Sequence, residues 1–129
     1  MDIKLGNNDV VMYIIVNNDL KMEKGKIASQ VGHVIQSIVE EILETNYKRT
    51  TIENTNDYIL YQDWKTNGHC KKIVLKGTKD QLLKMIEENK KCRYVIDMGL
   101  TQIYPNSLTV IGFFPRNDLQ NKLAHFKLL

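Results

Sequence analysis

The chain has 129 residues, which is enough for one domain with a buried core of its own and too few for two. With 43% hydrophobic and 26% charged residues it has the composition of a soluble globular protein, and no apolar run approaches the roughly 20 residues that cross a bilayer. The net charge of +3 is mildly basic, and the first residues lack a signal-peptide pattern. We therefore expect a cytoplasmic protein in which Cys70 and Cys92 are free thiols.

The first half of the chain predicts one strand and two helices. Residues 10–16 form a continuous apolar run rich in β-branched side chains, which is typical of a strand buried on both faces. From Gly25 to Ile42, apolar residues recur at the spacing of an amphipathic helix. The polar residues 45–57 predict a long surface loop. The aromatic residues after it, including Trp64, predict a short helix packed against the domain.

The second half predicts three strands and two helices. Buried strands are expected at residues 72–76, 93–97 and 108–114. The sequence Thr78-Lys79-Asp80-Gln81 has the residues of a capping box and is followed by apolar residues at helical spacing. A last short helix is expected at residues 117–123, with its first residue as the N-cap.

The predicted order, β-α-α-β-α-β-β-α, indicates the α/β class. Helices that alternate with buried strands predict a single three-layer α/β/α sandwich around a mixed four-stranded sheet. Because the third strand leads directly into the fourth, we expect at least one antiparallel pair. Nothing divides the chain, so residues 1–129 are taken as one domain.

A group of lysines lies between the first strand and the first helix. Ligands of open α/β sheets favour the carboxyl ends of parallel strands, and this segment follows such an end. Lys21, Lys24 and Lys26 place positive charge near the positive end of the helix macrodipole, which is unfavourable unless an anion such as a phosphate is bound there. Lysines that extend into water would explain the same pattern. The segment 23–27 is not a nucleotide P-loop. Gly25 is its only glycine, no glycine precedes it at the P-loop spacing, and Lys26 is followed by Ile27 and not by Ser or Thr.

Two sets of polar residues could carry chemistry. Lys26, Gln30, His33 and Ser37 fall on one stripe of the first helix, although a lone histidine is more often structural than catalytic. Residues 97–102 place a carboxylate, a glycine and a hydroxyl directly after a strand, although an ordinary turn has the same composition. No zinc site is expected, because neither His69 nor His125 is spaced as a ligand with a cysteine or carboxylate. Nor does the sequence contain a Gly-x-Ser-x-Gly nucleophile elbow.

Four blocks, in order and over nearly the whole chain from residue 10 to 129, together resemble the second-type peptidyl-tRNA hydrolases of archaea and eukaryotes. The blocks are Asp-Leu-Lys-Met-x-Lys-Gly-Lys-x-Ala-x-Gln-x-x-His at residues 19–33, Lys-Ile-Val-Leu-Lys at 72–76, Asp-x-Gly-x-Thr-Gln-Ile at 97–103 and His-Phe-Lys-Leu-Leu at 125–129. Trp64 also falls where the family has its tryptophan.

This resemblance implies a single α/β domain that hydrolyses the ester between a peptide and the tRNA ribose, with peptidyl-tRNA as partner and without metal or cofactor. Lys26, Asp97 and Thr101 match the residues on which the family's activity depends. The matching substrate-binding positions are Lys21, Lys24, Gln30, His33 and Gln102. We expect Asp97 and Thr101 to hold and activate a water molecule and Lys26 to stabilise the oxyanion.

The chain departs from the family pattern at two positions that usually carry positive charge. Asn17 stands where the family usually has arginine, and Leu100 stands where it has arginine or lysine. We therefore expect these departures to affect tRNA binding more than catalysis, and the alternative function is a catalytically weakened module that binds tRNA or protein. A pure binder would not need Lys26 and Asp97. The sequence leaves open whether Asp97 or His33 is the general base, and whether the protein forms a homodimer.

Overall fold

The computed structural model describes residues 9–98 and 106–129. Within these ranges the chain forms five strands, three α-helices and one 3-10 turn. Their bounds are β1 Met12–Asn17, the 3-10 turn Asn18–Leu20, α1 Lys24–Tyr47, α2 Asn56–Thr66, β2 Lys72–Gly77, α3 Lys79–Glu88, β3 Cys92–Asp97, β4 Ser107–Phe113 and β5 Lys127–Leu128.

Among the described residues the strands form one mixed sheet in the order β3-β4-β1-β2-β5. β1 and β2 are parallel, whereas β4 is antiparallel to both β1 and β3, which confirms the predicted mixed sheet and antiparallel pair. β1, β2 and β3 therefore run in the same direction and end at the same edge of the sheet. We call this the carboxyl edge. It carries Asn17, Gly77 and Asp97, the last residues of the three strands.

Both faces of the sheet are covered by apolar packing. Along β1, Tyr13 and Ile15 belong to the cluster that packs with α3, whereas Ile14 and Val16 belong to the cluster that packs with α1 and α2. Successive strand residues point to opposite faces, so this alternation places helices on both sides of the sheet. It also explains why the apolar run at residues 10–16 has no polar face.

The prediction of four strands was wrong, because β5 adds a fifth. β5 pairs with β2 in the antiparallel direction, with Lys127 opposite Lys76. The preceding residue, Phe126, is buried and holds this segment against the sheet. A Cβ on Gly77 would lie 2.9 Å from the Phe126 ring, so the glycine allows the close approach. A two-residue strand is too short to show the alternation by which strands are found in a sequence.

The predicted helix at residues 117–123 was also wrong. These residues form turns, with a single helical hydrogen bond from Leu123 N to the Leu119 carbonyl. Asp118 accepts a bidentate hydrogen bond from the Arg116 guanidinium. Leu119 and Leu123 are both buried in the α3-side cluster. These two leucines are four residues apart, which is a helical spacing, but both are apolar because they pack into the core and not because they lie on one face of a helix.

The predicted loop at residues 45–57 is shorter than expected. α1 continues to Tyr47 and α2 begins at Asn56, so the connection comprises residues 48–55. Asn46 closes the loop, because its side-chain oxygen accepts a hydrogen bond of 2.8 Å from the Thr55 backbone N–H. The last turn of α1 was missed because its polar side chains do not continue the apolar stripe. By contrast, the capping box at Thr78 and Gln81 is confirmed.

An ion pair joins the edge strand β3 to α1. The Arg93 guanidinium donates two hydrogen bonds to the Glu41 carboxylate, at 2.8 and 2.6 Å. These contacts hold the pKa of the Glu41 carboxyl below its ordinary value of 4.5. A lowered folded-state pKa stabilises the protein above about pH 4.5, and this stabilisation is lost as the pH falls.

We expect Glu41→Gln to lower the free energy of unfolding by about 0.5 to 1 kcal/mol at pH 7, since the pair is well exposed to solvent. Urea unfolding of both proteins at pH 7 and at pH 3 tests this, because the difference should be smaller at the lower pH, where more of the carboxylate is protonated. An equal difference at both values would mean that the carboxylate charge is not responsible.

Both cysteines are free thiols, as the sequence predicts, but their surroundings differ. Cys92 is buried, and its burial raises the pKa of the thiol to about 12, against a lowering by Arg93. Cys70 is partly exposed. At pH 8 the Cys92 thiolate is populated on the order of one part in ten thousand.

We expect iodoacetamide to modify Cys70 and leave Cys92 unmodified in the folded protein, as measured by peptide mass spectrometry. Equal labelling of both would contradict the burial of Cys92.

Candidate active site

Lys26 and Asp97, which are 71 residues apart in the sequence, form an ion pair at the carboxyl edge. The ammonium Nζ lies 2.8 Å from Oδ1 of the carboxylate, and each side chain is only 10% exposed. Lys26 is in the first turn of α1 and Asp97 is the last residue of β3. Partial burial of both charges makes the pair sensitive to either partner, because removing one leaves a charge with poor solvation.

The chain between β1 and α1 determines where Lys26 lies. β1 leads into the 3-10 turn, and Lys21 then adopts a positive φ of 51°. Met22 follows and is buried in the α1-side cluster, which anchors the start of α1 against the sheet. α1 then packs across β4, β3 and β1. Its first turn is thereby held beside the end of β3.

A second polar contact joins α1 to the sheet one turn beyond the ion pair. Gln30 is 4% exposed, and its Oε1 lies 2.7 Å from the Thr109 hydroxyl, which is fully buried. The same hydroxyl lies 3.1 Å from the Val95 carbonyl, two residues before Asp97. Thr109 therefore connects the helix that carries Lys26 to the strand that carries Asp97.

Thr109 occupies a β-bulge. Val95 pairs with Val110 and Ile96 pairs with Leu108, so Thr109 has no residue opposite it in β3. A bulge adds one residue to a strand and redirects its side chain, and bulges often lie next to active sites. Sequence reasoning missed Thr109, because a threonine inside an apolar strand carries no signal of its own. The only hint is that it is the polar residue in a stretch otherwise rich in apolar side chains.

Asn17, where the family pattern usually has arginine, has a structural contact in this chain. It is 2% exposed, and its side-chain amide donates a hydrogen bond of 2.8 Å to the Leu108 carbonyl of β4. Its side-chain oxygen accepts from the Asp19 backbone N–H and so caps the 3-10 turn. An arginine side chain has no acceptor, so an arginine at this position could not accept the hydrogen bond from the Asp19 N–H.

The remaining predicted residues are spread around this pair. Lys21 and Lys24 are exposed at the start of α1. The predicted stripe divides, because Lys26 and Gln30 contact residues of the sheet whereas His33 is exposed to solvent. Thr101 and Gln102 lie outside the described residues. In the ranges 9–98 and 106–129, no three His, Cys, Asp or Glu side chains are grouped so that they could hold a metal ion.

The arrangement combines groups that ester hydrolysis requires. An ammonium group has three N–H donors, so Lys26 can hold Asp97 with one and an anionic oxygen with another. A carboxylate has several acceptor positions, so Asp97 can accept from Lys26 and from a water molecule together. Low exposure strengthens both electrostatic contacts.

Comparison with known proteins identifies the family. The model of the family described as peptidyl-tRNA hydrolase PTH2 matches residues 10–129. This chain belongs to that family.

Individual proteins that are similar to this chain carry the same family name. The peptidyl-tRNA hydrolase of Staphylothermus marinus is 36% identical over 115 residues, which cover 86% of this chain and 86% of that protein. That of Sulfurisphaera tokodaii is 37% identical over 108 residues, covering 81% of this chain and 84% of that protein. The mitochondrial peptidyl-tRNA hydrolase 2 of Bos taurus is 32% identical over 123 residues, covering 91% of this chain and 63% of the bovine protein.

Proposed function

We propose that this chain hydrolyses peptidyl-tRNA, cleaving the ester that joins the peptide, or an N-blocked amino acid, to the tRNA ribose. The observation that carries the proposal is the Lys26–Asp97 ion pair at the carboxyl edge, with 2.8 Å between Nζ and Oδ1. Membership of the peptidyl-tRNA hydrolase PTH2 family and the names of the archaeal and bovine relatives support the substrate.

The proposed reaction is direct attack by water without metal or cofactor. Asp97 orients the water and accepts its proton, with Thr101 as a second hydrogen-bonding group. The water oxygen bonds to the carbonyl carbon, and Lys26 stabilises the resulting oxyanion. The bond from that carbon to the ribose oxygen then breaks. The proton held by Asp97 passes to the ribose oxygen, so the products are a tRNA with a free ribose hydroxyl and a peptide carboxylic acid, which then loses its own proton to solvent as the carboxylate.

Substrate binding is proposed to depend on charge. Lys21 and Lys24, with the basic residues 71–72, would contact backbone phosphates, while Gln30, His33 and Gln102 would contact the peptide or the end of the tRNA. Phosphate contacts carry no base sequence information, and they weaken as salt is added because counterions are released on binding. Binding should therefore be similar for different tRNAs and fall steeply with salt.

Three further expectations about the whole protein stay predictions: action as one domain, a cytoplasmic location and formation of a homodimer. None of the helices in the described ranges has both the length and the apolarity needed to cross a membrane. The name of the bovine relative places that protein in mitochondria, so imaging of a tagged chain is needed to test the location.

Release of a labelled N-acetyl-aminoacyl group from tRNA in water enriched in oxygen-18 tests the proposed function. Attack by water at the carbonyl predicts that the heavy oxygen appears in the carboxylate of the released acid. Heavy oxygen in the ribose hydroxyl would contradict the site of attack. Absence of release, with salt-sensitive tRNA binding retained, would overturn hydrolysis in favour of a binding module.

A further inference from the structure

Three lysines lie close together where β2 pairs with β5. Lys72 and Lys76 are at alternating positions of β2, and Lys127 of β5 is directly opposite Lys76. None of the ion pairs among the described residues includes these three lysines. Like charges directly opposite each other across two strands are unfavourable. Among the residues that the structure describes, the sheet therefore holds these three positive charges together without a salt bridge to any of them.

The three side chains share the face of the sheet on which α1 lies. Val74, between Lys72 and Lys76 in the alternation, packs with the α1-side cluster, whereas Ile73 and Leu75 belong to the opposite cluster. Lys72 lies over the ring of Trp64 in the same α1-side cluster, 5.3 Å from its centroid. Side chains of residues directly opposite each other on neighbouring strands point to the same face of the sheet, so the Lys127 side chain lies on the same face as that of Lys76.

Lys76 and Lys127 also line a cavity of about 240 Å³ next to the 3-10 turn. Asp19 lines the same cavity, but its carboxylate Oδ2 accepts a hydrogen bond of 2.9 Å from the Lys79 backbone N–H. The residues that line the cavity thus include two lysines and one aspartate whose carboxylate is already hydrogen-bonded. A negatively charged group would relieve the repulsion between the lysines.

The distance from the candidate active site fits an RNA backbone. In the sheet, β2 is three strands away from β3 and β5 is four strands away. At about 4.8 Å per strand, the lysines of β2 and β5 therefore lie roughly 14 to 19 Å across the sheet from β3, the strand that ends in Asp97. Backbone phosphates of a stacked strand recur about every 3.4 Å along its axis, so the gap corresponds to about four to six nucleotides. A tRNA whose ester lies at Lys26 and Asp97 would have the start of its acceptor stem at this distance.

We infer that Lys76 and Lys127 form a subsite for backbone phosphates of the tRNA acceptor stem, separate from the lysines at the start of α1. The inference rests on the proposed function, since it takes the ester end of the tRNA to lie at the Lys26–Asp97 pair. Lys72, which lies on the same face of the sheet, is held over the ring of Trp64.

The test compares two substrates for the double variant Lys76→Ala/Lys127→Ala. One is full-length N-acetyl-aminoacyl-tRNA, and the other is a short 3′-terminal oligoribonucleotide with the same acyl group that is too short to reach β2. We expect KM for the full-length substrate to rise several-fold with kcat unchanged, and KM for the short substrate to stay the same. The slope of log KM against log salt should fall by about 1.4 to 1.8 for two lost phosphate contacts.

Lys84→Ala/Lys122→Ala is the matched control, because it removes the same charge from a cavity on the α3 side of the sheet. An equal rise in KM in this control would mean that only net charge matters, and would overturn the subsite. An unchanged KM of the double variant for the full-length substrate would also overturn the subsite. New self-association of that variant would then show that these lysines prevent pairing of the edge strand. If wild type cleaves neither substrate, the proposed hydrolysis fails, and binding of deacylated tRNA to the same variants then decides the subsite.

Discussion

Asp97→Asn is expected to lower kcat for N-acetyl-aminoacyl-tRNA by about 100- to 1000-fold with little change in KM. Asparagine keeps the size of the side chain and can still accept a hydrogen bond from Lys26, but it cannot accept a proton from water. The Lys26 ammonium then lies beside a neutral amide at a position where only 10% of its side chain is exposed. Loss of the general base and loss of the ion pair therefore act together.

The matched control is Asp118→Asn, the same chemical change at a carboxylate bound to Arg116 in the turns that precede β5. Its turnover should stay within twofold of wild type. Because loss of one partner from a poorly solvated ion pair can also destabilise the fold, the unfolding midpoint of Asp97→Asn must be measured beside its kcat. A folded Asp97→Asn protein with turnover within a few-fold of wild type would exclude Asp97 as the base and make His33 the next residue to replace.

Thr109→Val should lower kcat by roughly 10- to 100-fold, because small displacements of catalytic groups have effects of this size. The hydrogen bonds of Thr109 go to Gln30 and Val95 and not to Lys26 or Asp97, so its effect would be indirect. Valine has nearly the same shape but no hydroxyl, so Gln30 loses its bond to the bulge of β4 and α1 loses a link to β3. The free energy of unfolding should fall by about 1 to 3 kcal/mol, since a buried polar group is left without its partner.

Thr109→Ser separates positioning from packing, because serine restores the hydroxyl and removes only a methyl group. We expect it to recover most of the turnover lost in the valine variant. If the serine variant is as slow as the valine variant, the hydroxyl near Gln30 and Val95 does not by itself restore turnover, and positioning by that hydroxyl alone is contradicted. If the valine variant turns over at the wild-type rate, Thr109 is a structural residue with no effect on the reaction.

The elements with a strong periodic pattern could be predicted from the sequence, and those whose form depends on tertiary pairing could not. The apolar run of β1 and the stripe of α1 each contain enough residues for their period to be read. β5 is too short to show a period. The turns after β4 bury Leu119 and Leu123 at a helical spacing, and so they imitate a helix in the sequence.

The same division applies to the candidate site. Lys26 and Asp97 could be singled out because Asp97 ends a strand and Lys26 lies in the helix after one, at the end of the sheet where ligands of α/β proteins bind, and because both fall in family motifs. Their contact could not be derived, since it depends on β4 lying between β1 and β3. The bulge at Thr109 depends on strand register, which a sequence without its partner strand does not show. Gln30 and His33 both lie in the predicted helix α1, but they do not share one environment, and only packing shows that the first is buried and the second exposed.

The most direct test of the central claim is the turnover of N-acetyl-aminoacyl-tRNA by wild type, Lys26→Ala and the control Lys48→Ala, all in the presence of EDTA. Lys48 lies just beyond the other end of α1 and pairs with Glu44, so its loss removes the same charge far from the carboxyl edge. The account predicts undiminished turnover by wild type and Lys48→Ala in EDTA, and a fall of about 100- to 1000-fold in kcat for a folded Lys26→Ala. Turnover that EDTA abolishes, or a folded Lys26→Ala protein that matches wild type, would contradict it.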